Sequence, residues 1–245
     1  MPAMLLHDLI GYLEQLLGGA VITVELAVSG YVLALSVGVT WALLRQTRNR
    51  VARAIVLGVW RVYASIFMSV PSVLVLFLFF FGGGTLVGAL CGLVGLKARV
   101  DVSPFVAGLA ALTIVQGAYS AEVVAGAIRN VPRGQFEAAR ALGIRPYQAW
   151  WYVILPQVAR LALPGLVNIW VSVLKDTSLV ALAGLNELVA RSRTASGATK
   201  EPFLFFIAAA LFFIVFSSVT LKLSSRLERR LDRGTARPVA AGRGA

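Results

Sequence analysis

The run Glu137-Ala138-Ala139-Arg140-Ala141-Leu142-Gly143, followed by Val153-Ile154-Leu155-Pro156, is a polar, small-residue stretch set between two strongly apolar segments of the chain. Its local signals agree on a short helix. Pro132 and Gly134 break the helix before it, Glu137 favours a helix N-terminus, and Gly143 suits the C-terminal cap. Pro146 fits the first turn of a following helix. Trp150, Trp151 and Tyr152 fit a membrane interface, where an aromatic body meets the headgroups, and Leu155-Pro156 re-aims the chain into the next apolar segment. Ala138 and Ala139 leave the backbone accessible, so the helix suits a groove on another protein, with Glu137 and Arg140 at the rim. A plain connector that turns the chain is the simpler reading, but it does not require a capped helix built on alanines.

Outward from this stretch the chain is too apolar for an ordinary soluble domain, with 58% hydrophobic and 14% charged residues in 245. Five segments, 20–44, 54–81, 104–128, 158–182 and 203–223, are long enough to cross a bilayer core of about 30 Å as helices. They show no alternation of apolar and polar residues, so helices and not barrel strands satisfy their backbone. The sequence therefore predicts an all-α integral membrane protein of five transmembrane helices with a short cytoplasmic coupling helix. An outer segment covers 1–18, the transmembrane domain 19–223 with the polar loop at 129–157, and a cytoplasmic basic tail 224–245. Leucines at helical spacing from Leu5 to Leu17 predict a short surface helix in the first of these. Pro71 predicts a kink in the second span.

The net charge of +12 comes in blocks beside the spans, which reads as topology and not as a nucleic-acid surface. Arg45, Arg48, Arg50 and Arg53, then Arg129, Arg133, Arg140, Arg145 and Arg160, then the tail from Lys222 to Arg243 carry sixteen basic residues. The alternate connections hold Lys97, Arg99, Arg191, Arg193 and Lys200. The positive-inside rule then puts the N-terminus outside and the tail in the cytoplasm. Cys91 and His7 each stand alone, so neither a disulfide framework nor a metal site is predicted. The N-terminus lacks the basic region of a signal peptide, so the first span is read as retained.

Ionisable residues at membrane depth are costly and are weighed singly. Glu25, early in the first span, is either solvated or faces a pathway for cations. Arg61 lies near a span end and can snorkel. Glu122, six residues before the end of the third span, suits pairing with a basic group. Lys175, Asp176, Thr177 and Ser178 lie deep in the fourth span and should face protein or water, as an ion pair locking helices or as part of a pathway.

These motifs carry a resemblance. Glu137-Ala138-Ala139, Gly143, Val153 and Leu155-Pro156 keep the spacing of the EAA loop in permease subunits of ATP-binding-cassette importers. Gly117-Ala118-Tyr119-Ser120-Ala121-Glu122, Val131-Pro132-Arg133-Gly134-Gln135, Leu155-Pro156-Gln157 and Lys175-Asp176-Thr177-Ser178-Leu179 resemble the polar amino-acid branch, with its histidine, glutamine, arginine and opine systems. The resemblance spans about 19–230. It implies the type I importer permease fold and a place in the bacterial inner membrane. It also implies a second permease, a heterodimer being favoured, two ATPases, an extracytoplasmic binding protein and an amino-acid substrate. Gly134, Glu137, Ala138, Ala139, Arg140 and Gly143 would then couple to the ATPases, which hold ATP and Mg, since this chain has no Gly-x-x-x-x-Gly-Lys-Ser/Thr loop. No cofactor is implied in the chain itself. One departure stands out: after Tyr63 and four residues the branch usually reads Arg-Gly-Thr-Pro, whereas this chain reads Met68-Ser69-Val70-Pro71. An arginine absent there would have to come from the second permease, or the ligand differs. A secondary transporter or channel predicts inverted repeats or several intramembrane acids, and an enzyme predicts a catalytic constellation. Neither pattern is evident in the sequence.

Overall fold

Pro71 has no N–H to donate and restrains the residue before it, and there the apolar segment expected at 54–81 divides in two. The computed structural model describes residues 9–47, 49–93 and 101–232. Its helices are α1 (Leu13–Leu44), α2 (Arg50–Ser69), α3 (Ser72–Leu93), α4 (Pro104–Asn130), α5 (Arg133–Ala141), α6 (Leu155–Asp176), α7 (Leu188–Thr199) and α8 (Pro202–Asp232). A short helix, Pro146–Gln148, and a π-helical turn, Ala149–Ile154, lead into α6, and a 3-10 segment, Thr177–Ala183, follows it.

Among the described residues six stretches are long and apolar enough to cross a membrane, one more than the sequence predicts, because α2 and α3 each qualify. The predicted kink is a full break: Val70 is extended, with φ −89 and ψ 132, as the residue before a proline prefers. Both helices nevertheless follow α4 in one direction. Trp60 packs with Ala118 and Ala121, the Tyr63 hydroxyl donates to the Ile114 carbonyl at 2.6 Å, and Gly83 lies beside Val102 just before α4 begins.

Two further boundaries move. Helix α1 starts at Leu13, inside the segment assigned to 1–18, because Leu16 and Ala20 are buried in a cluster with Leu188, Ala195 and Phe205 that extends the helix past its apolar run. Helix α8 continues to Asp232, into the predicted tail, with Ser224 donating to Glu228 at 3.0 Å and Arg229 and Arg230 in the last turn, where cations suit the helix dipole. His7, Arg48, Lys97, Arg99 and the tail from 233 onward lie outside the described residues.

At the centre is α4, buried along most of its length by α1, α3 and α6. Its own sequence starts it cleanly: Ser103 accepts from the Val106 N–H at 3.3 Å and Pro104 occupies the first turn. Small residues then allow α1 to come close and run parallel to it, with Gly30 beside Leu112, Val37 beside Gly117 and Gly38 against Ser120 and Ala121. On the other side Gly165 of α6 receives Val123. Tyr31 of α1 donates to the Leu166 carbonyl at 3.2 Å and stacks edge-on against Trp170, which donates to Thr220 of α8 at 3.3 Å.

A methyl group at Gly38 has no space between the backbones of α1 and α4, whereas one at Gly18 meets nothing within 4 Å. Thermal unfolding in lipid should show Gly38→Ala destabilised by about 1–3 kcal/mol through overpacking. Gly18→Ala should be neutral or stabilised by up to about 1 kcal/mol through helix propensity.

Candidate coupling and translocation site

Helix α5 is made by its ends. Val131 is extended and Pro132 leads into Arg133, which separates α5 from α4. Gly134 does not break the preceding helix; it sits in the first turn of α5, exposed. At the other end Gly143 takes φ +69, its N–H donates to the Arg140 carbonyl at 2.9 Å, and the Ile144 N–H donates to the Ala139 carbonyl at 3.0 Å. This is a Schellman closure, which places a residue in the left-handed region where glycine is unstrained.

One face of α5 is anchored and the other is free. Ala139 is buried and Phe136 packs on the cluster of Val131, Ile154 and Val158, while Gln157 of α6 donates to Gln135 at 3.2 Å. Glu137, Ala138, Arg140 and Ala141 are exposed, and Leu142, Tyr147, Trp151 and Tyr152 extend this outward surface with large apolar side chains. Trp150, by contrast, packs inward. The π-helical turn accommodates Pro156: with no N–H at that position the Leu155 N–H bonds to the Trp150 carbonyl, five residues back, and the helix passes into α6 without a gap.

Along α6, Asn168, Ser172 and Asp176 recur every four residues and face a cavity of about 530 Å³. Gln116, Tyr119 and Glu122 of α4 and Ser72 of α3 complete its polar lining. Asp176 accepts from the Gln116 amide at 2.9 Å. Lys175 is exposed and lines no part of the cavity, and the Thr177 and Ser178 hydroxyls turn back to the Leu174 and Lys175 carbonyls, both at 2.7 Å. Among the described residues Asp176 therefore has neutral donors and not an ion pair. Glu122, at the far end of the cavity, is held by Arg45 at 2.9 Å and approached by Arg129 at 3.8 Å, and the Arg45 guanidinium lies over Trp60 at 4.7 Å. Glu25 is elsewhere, on an apolar groove between α1 and α8 with Val21, Val24 and Phe212.

Gln116, Asn168 and Ser172 are not among the residues expected from the sequence, and Tyr119 enters there only within a motif, although Asn168, Ser172 and Asp176 recur every four residues. Met68 lies at the edge of this site, where its carbonyl accepts from the cavity-lining Tyr119 at 3.3 Å.

A bundle of apolar helices, a polar cavity between three of them and a short exposed helix joined through the π-helical turn to the cavity wall fit a multi-pass membrane transport subunit. The family described as binding-protein-dependent transport system inner membrane component matches residues 34–233, and the chain belongs to it. The nopaline transport system permease protein NocQ of Agrobacterium fabrum is 38% identical over 225 residues, covering 91% of this chain and 94% of its own. The histidine/lysine/arginine/ornithine transport system permease protein HisQ of Salmonella typhimurium is 35% identical over 229 residues, covering 94% and 98%. A solved amino acid ABC transporter with histidines superposes with a TM-score of 0.75 at 26% identity, over 91% of this chain and 96% of that one. The MetNI methionine ABC transporter, at 0.63 and 18%, shares the fold.

Arg45 is 14% exposed in its side chain and Glu122 38%, so their pairing is only partly screened. A double-mutant cycle of Arg45→Met and Glu122→Ala, read by thermal unfolding, should give a coupling energy of about 1 kcal/mol. Glu122→Ala should cost more in the presence of Arg45 than in its absence.

Proposed function

We propose that this chain carries amino acids with a cationic side chain as one permease of an ATP-driven importer, and that α5 is the part moved by an ATPase. One observation carries the reading: α5 is anchored by Ala139 and Phe136 to the π-helical turn, and that turn continues into the helix bearing Asn168, Ser172 and Asp176. A displacement imposed on the exposed Glu137 and Arg140 edge is thereby delivered to the cavity wall. Gly134, Glu137, Ala138, Arg140 and Gly143 are the coupling residues in this reading, while Ala139, expected with them, is buried and serves as an anchor. ATP and Mg belong to two partner ATPases, and an extracytoplasmic binding protein delivers the ligand.

In topology, α2 and α3 in series make one crossing of five, the start of α1 faces outside and the end of α8 faces the cytoplasm. Support comes from their common direction along α4 and from the cytoplasmic excess of arginine.

The substrate class follows from charge. Glu122 is neutralised by Arg45 and Arg129, which leaves Asp176 as the free acid of the cavity. Met68 stands where the branch usually has arginine, so the cavity lacks that donor for a carboxylate. The relatives named for nopaline and for histidine, lysine, arginine and ornithine fit a cationic ligand. A second, different permease then supplies the carboxylate-binding group, which is why a heterodimer is favoured.

Gly143→Val forces a β-branched residue into the left-handed region, at a local cost of about 1–3 kcal/mol. Co-purification of the ATPase and uptake should both fall by about tenfold or more, with the bundle still folded; unchanged values for both would remove α5 from the mechanism. Asp176→Asn should raise the KM for arginine uptake by about tenfold while leaving assembly with the partner subunits near normal. Loss of the assembled complex would make Asp176 structural.

A further inference from the structure

Glu187 belongs neither to the coupling helix nor to the polar cavity, yet its side chain is fully buried, at 0% exposure. It follows the 3-10 segment, past Gly184 with φ +92, and caps α7: one carboxyl oxygen, Oε1, accepts from the Ala190 N–H at 2.9 Å. The other, Oε2, lies 3.3 Å from the Thr23 hydroxyl of α1. That hydroxyl is closer, at 3.0 Å, to the Gly19 carbonyl, and its oxygen accepts from the Leu188 N–H at 3.2 Å.

The hydrogens can be counted. Thr23 has one hydroxyl hydrogen and two acceptors near it, and the shorter contact directs it to Gly19. The Thr23 hydroxyl also reaches Oε2, at 3.3 Å, but only by sharing its one hydrogen between two acceptors, unless Glu187 itself carries a proton. A proton on Oε2 completes the set: Thr23 donates to Gly19 and fills its two lone pairs with the Leu188 N–H and the Glu187 O–H. The charged side chains on the neighbouring elements do not change this. They are Glu14 and Glu25 on α1, Lys175 and Asp176 before the 3-10 segment, Arg191 and Arg193 on α7, and Lys200 and Glu201 before α8. Among the described residues none of the cations forms an ion pair with Glu187, and none of the acids shares its hydrogen bonds. An ionised carboxylate buried without a cation is costly.

We propose that Glu187 is a proton-operated latch: as a neutral acid it pins α7 to α1, and its ionisation loosens α7 from the end of the bundle where α1 begins. The joint is tight, since a methyl group at Gly19 would meet the Glu187 and Leu188 backbone at 3.0 Å. Leu188 and Ala195 keep α7 seated on Leu16, Ala20 and Phe205, so loosening precedes detachment. Burial pushes the Glu187 carboxyl above the ordinary glutamate range, outweighing the lowering effect of its hydrogen bonds to Val189, Ala190 and Thr23. A raised folded value means that the stabilising contribution is complete below the ordinary glutamate pKa and is lost as pH rises through the raised one. This inference goes beyond the transport reading and does not depend on which solute is carried.

Hydrogen exchange of residues 188–199 in the assembled importer in lipid nanodiscs, corrected for the intrinsic pH dependence of exchange, tests it between about pH 5 and about pH 9. The wild-type segment should lose protection by about tenfold or more over that range. Glu187→Gln keeps a donor for Thr23 and an acceptor for Ala190, and its segment should stay protected at every pH. The infrared band of a protonated carboxylic acid should vanish in the same variant. Wild-type protection that is flat across the range, or a Glu187→Gln variant with the wild-type slope, would overturn the latch.

Discussion

The approach of α1 to α4 is the contact on which the rest of the molecule depends. In lipid no hydrophobic force draws two apolar helices together, so they associate only where their surfaces fit closely enough for dispersion and polar contacts. Gly38 lets α1 rest on the Ser120–Ala121 backbone, and Gly30 and Gly117 repeat the device a few turns along. With α1 and α4 fixed as a pair, α4 can turn its other faces to α2, α3 and α6, and it is those faces that carry Gln116, Tyr119 and Glu122. The polar cavity is thus a consequence of where the tight seam lies. A polar side chain on α4 that is not needed in the seam is left to line the opposite side.

From the π-helical turn to the cavity the chain is one continuous helical path, with Pro164 inside α6. A proline in a helix normally bends it, and a bend between α5 and α6 would absorb motion. The π-helical turn at Ala149–Ile154 takes up the missing donor of Pro156 within the helix and keeps it continuous. The pair of Pro132 before α5 and Gly143 after it has the opposite effect. It frees α5 from the direction of both neighbouring helices, so that its orientation is set by the docking of Ala139 and Phe136 and not by the chain.

What the sequence disclosed and what it withheld divide along the range of the interactions. Pro132, Gly143 and Pro146 act through their own backbone conformations, so the capped helix and its C-terminal glycine were legible locally. The Pro71 break was legible as a disturbance but not as a complete division, because apolar residues on both sides keep the hydropathy high. Helix α1 begins before its apolar run because Leu16 and Ala20 find partners on α7 and α8, far along the chain. The bond from Gln116 to Asp176 joins residues sixty positions apart, and no local spacing announces it. Lys175 is next to Asp176 in sequence, but successive helix residues point about 100° apart, and Asp176 bonds across to α4.

Three carboxylates on this scaffold show how environment and not residue type assigns a task. Glu122 has two arginines within 4 Å, one of them resting on Trp60, so its charge is satisfied within the bundle and it holds helices together. Asp176 receives a neutral amide and borders a cavity, so among the described residues it has no ion-pair partner and stands where a mobile cation could approach. Glu187 has no ion-pair partner among the described residues, and in a fully buried position the least costly state of a carboxyl group without a cation is the protonated one. The middle case is informative because of Met68. Its carbonyl accepts from Tyr119, which lines the cavity, so a guanidinium at this position would add a cation at the edge of the same site. With a thioether at that position, two arginines stand by Glu122 and none pairs with Asp176 among the described residues, so one acid is tied into the bundle and the other borders the cavity.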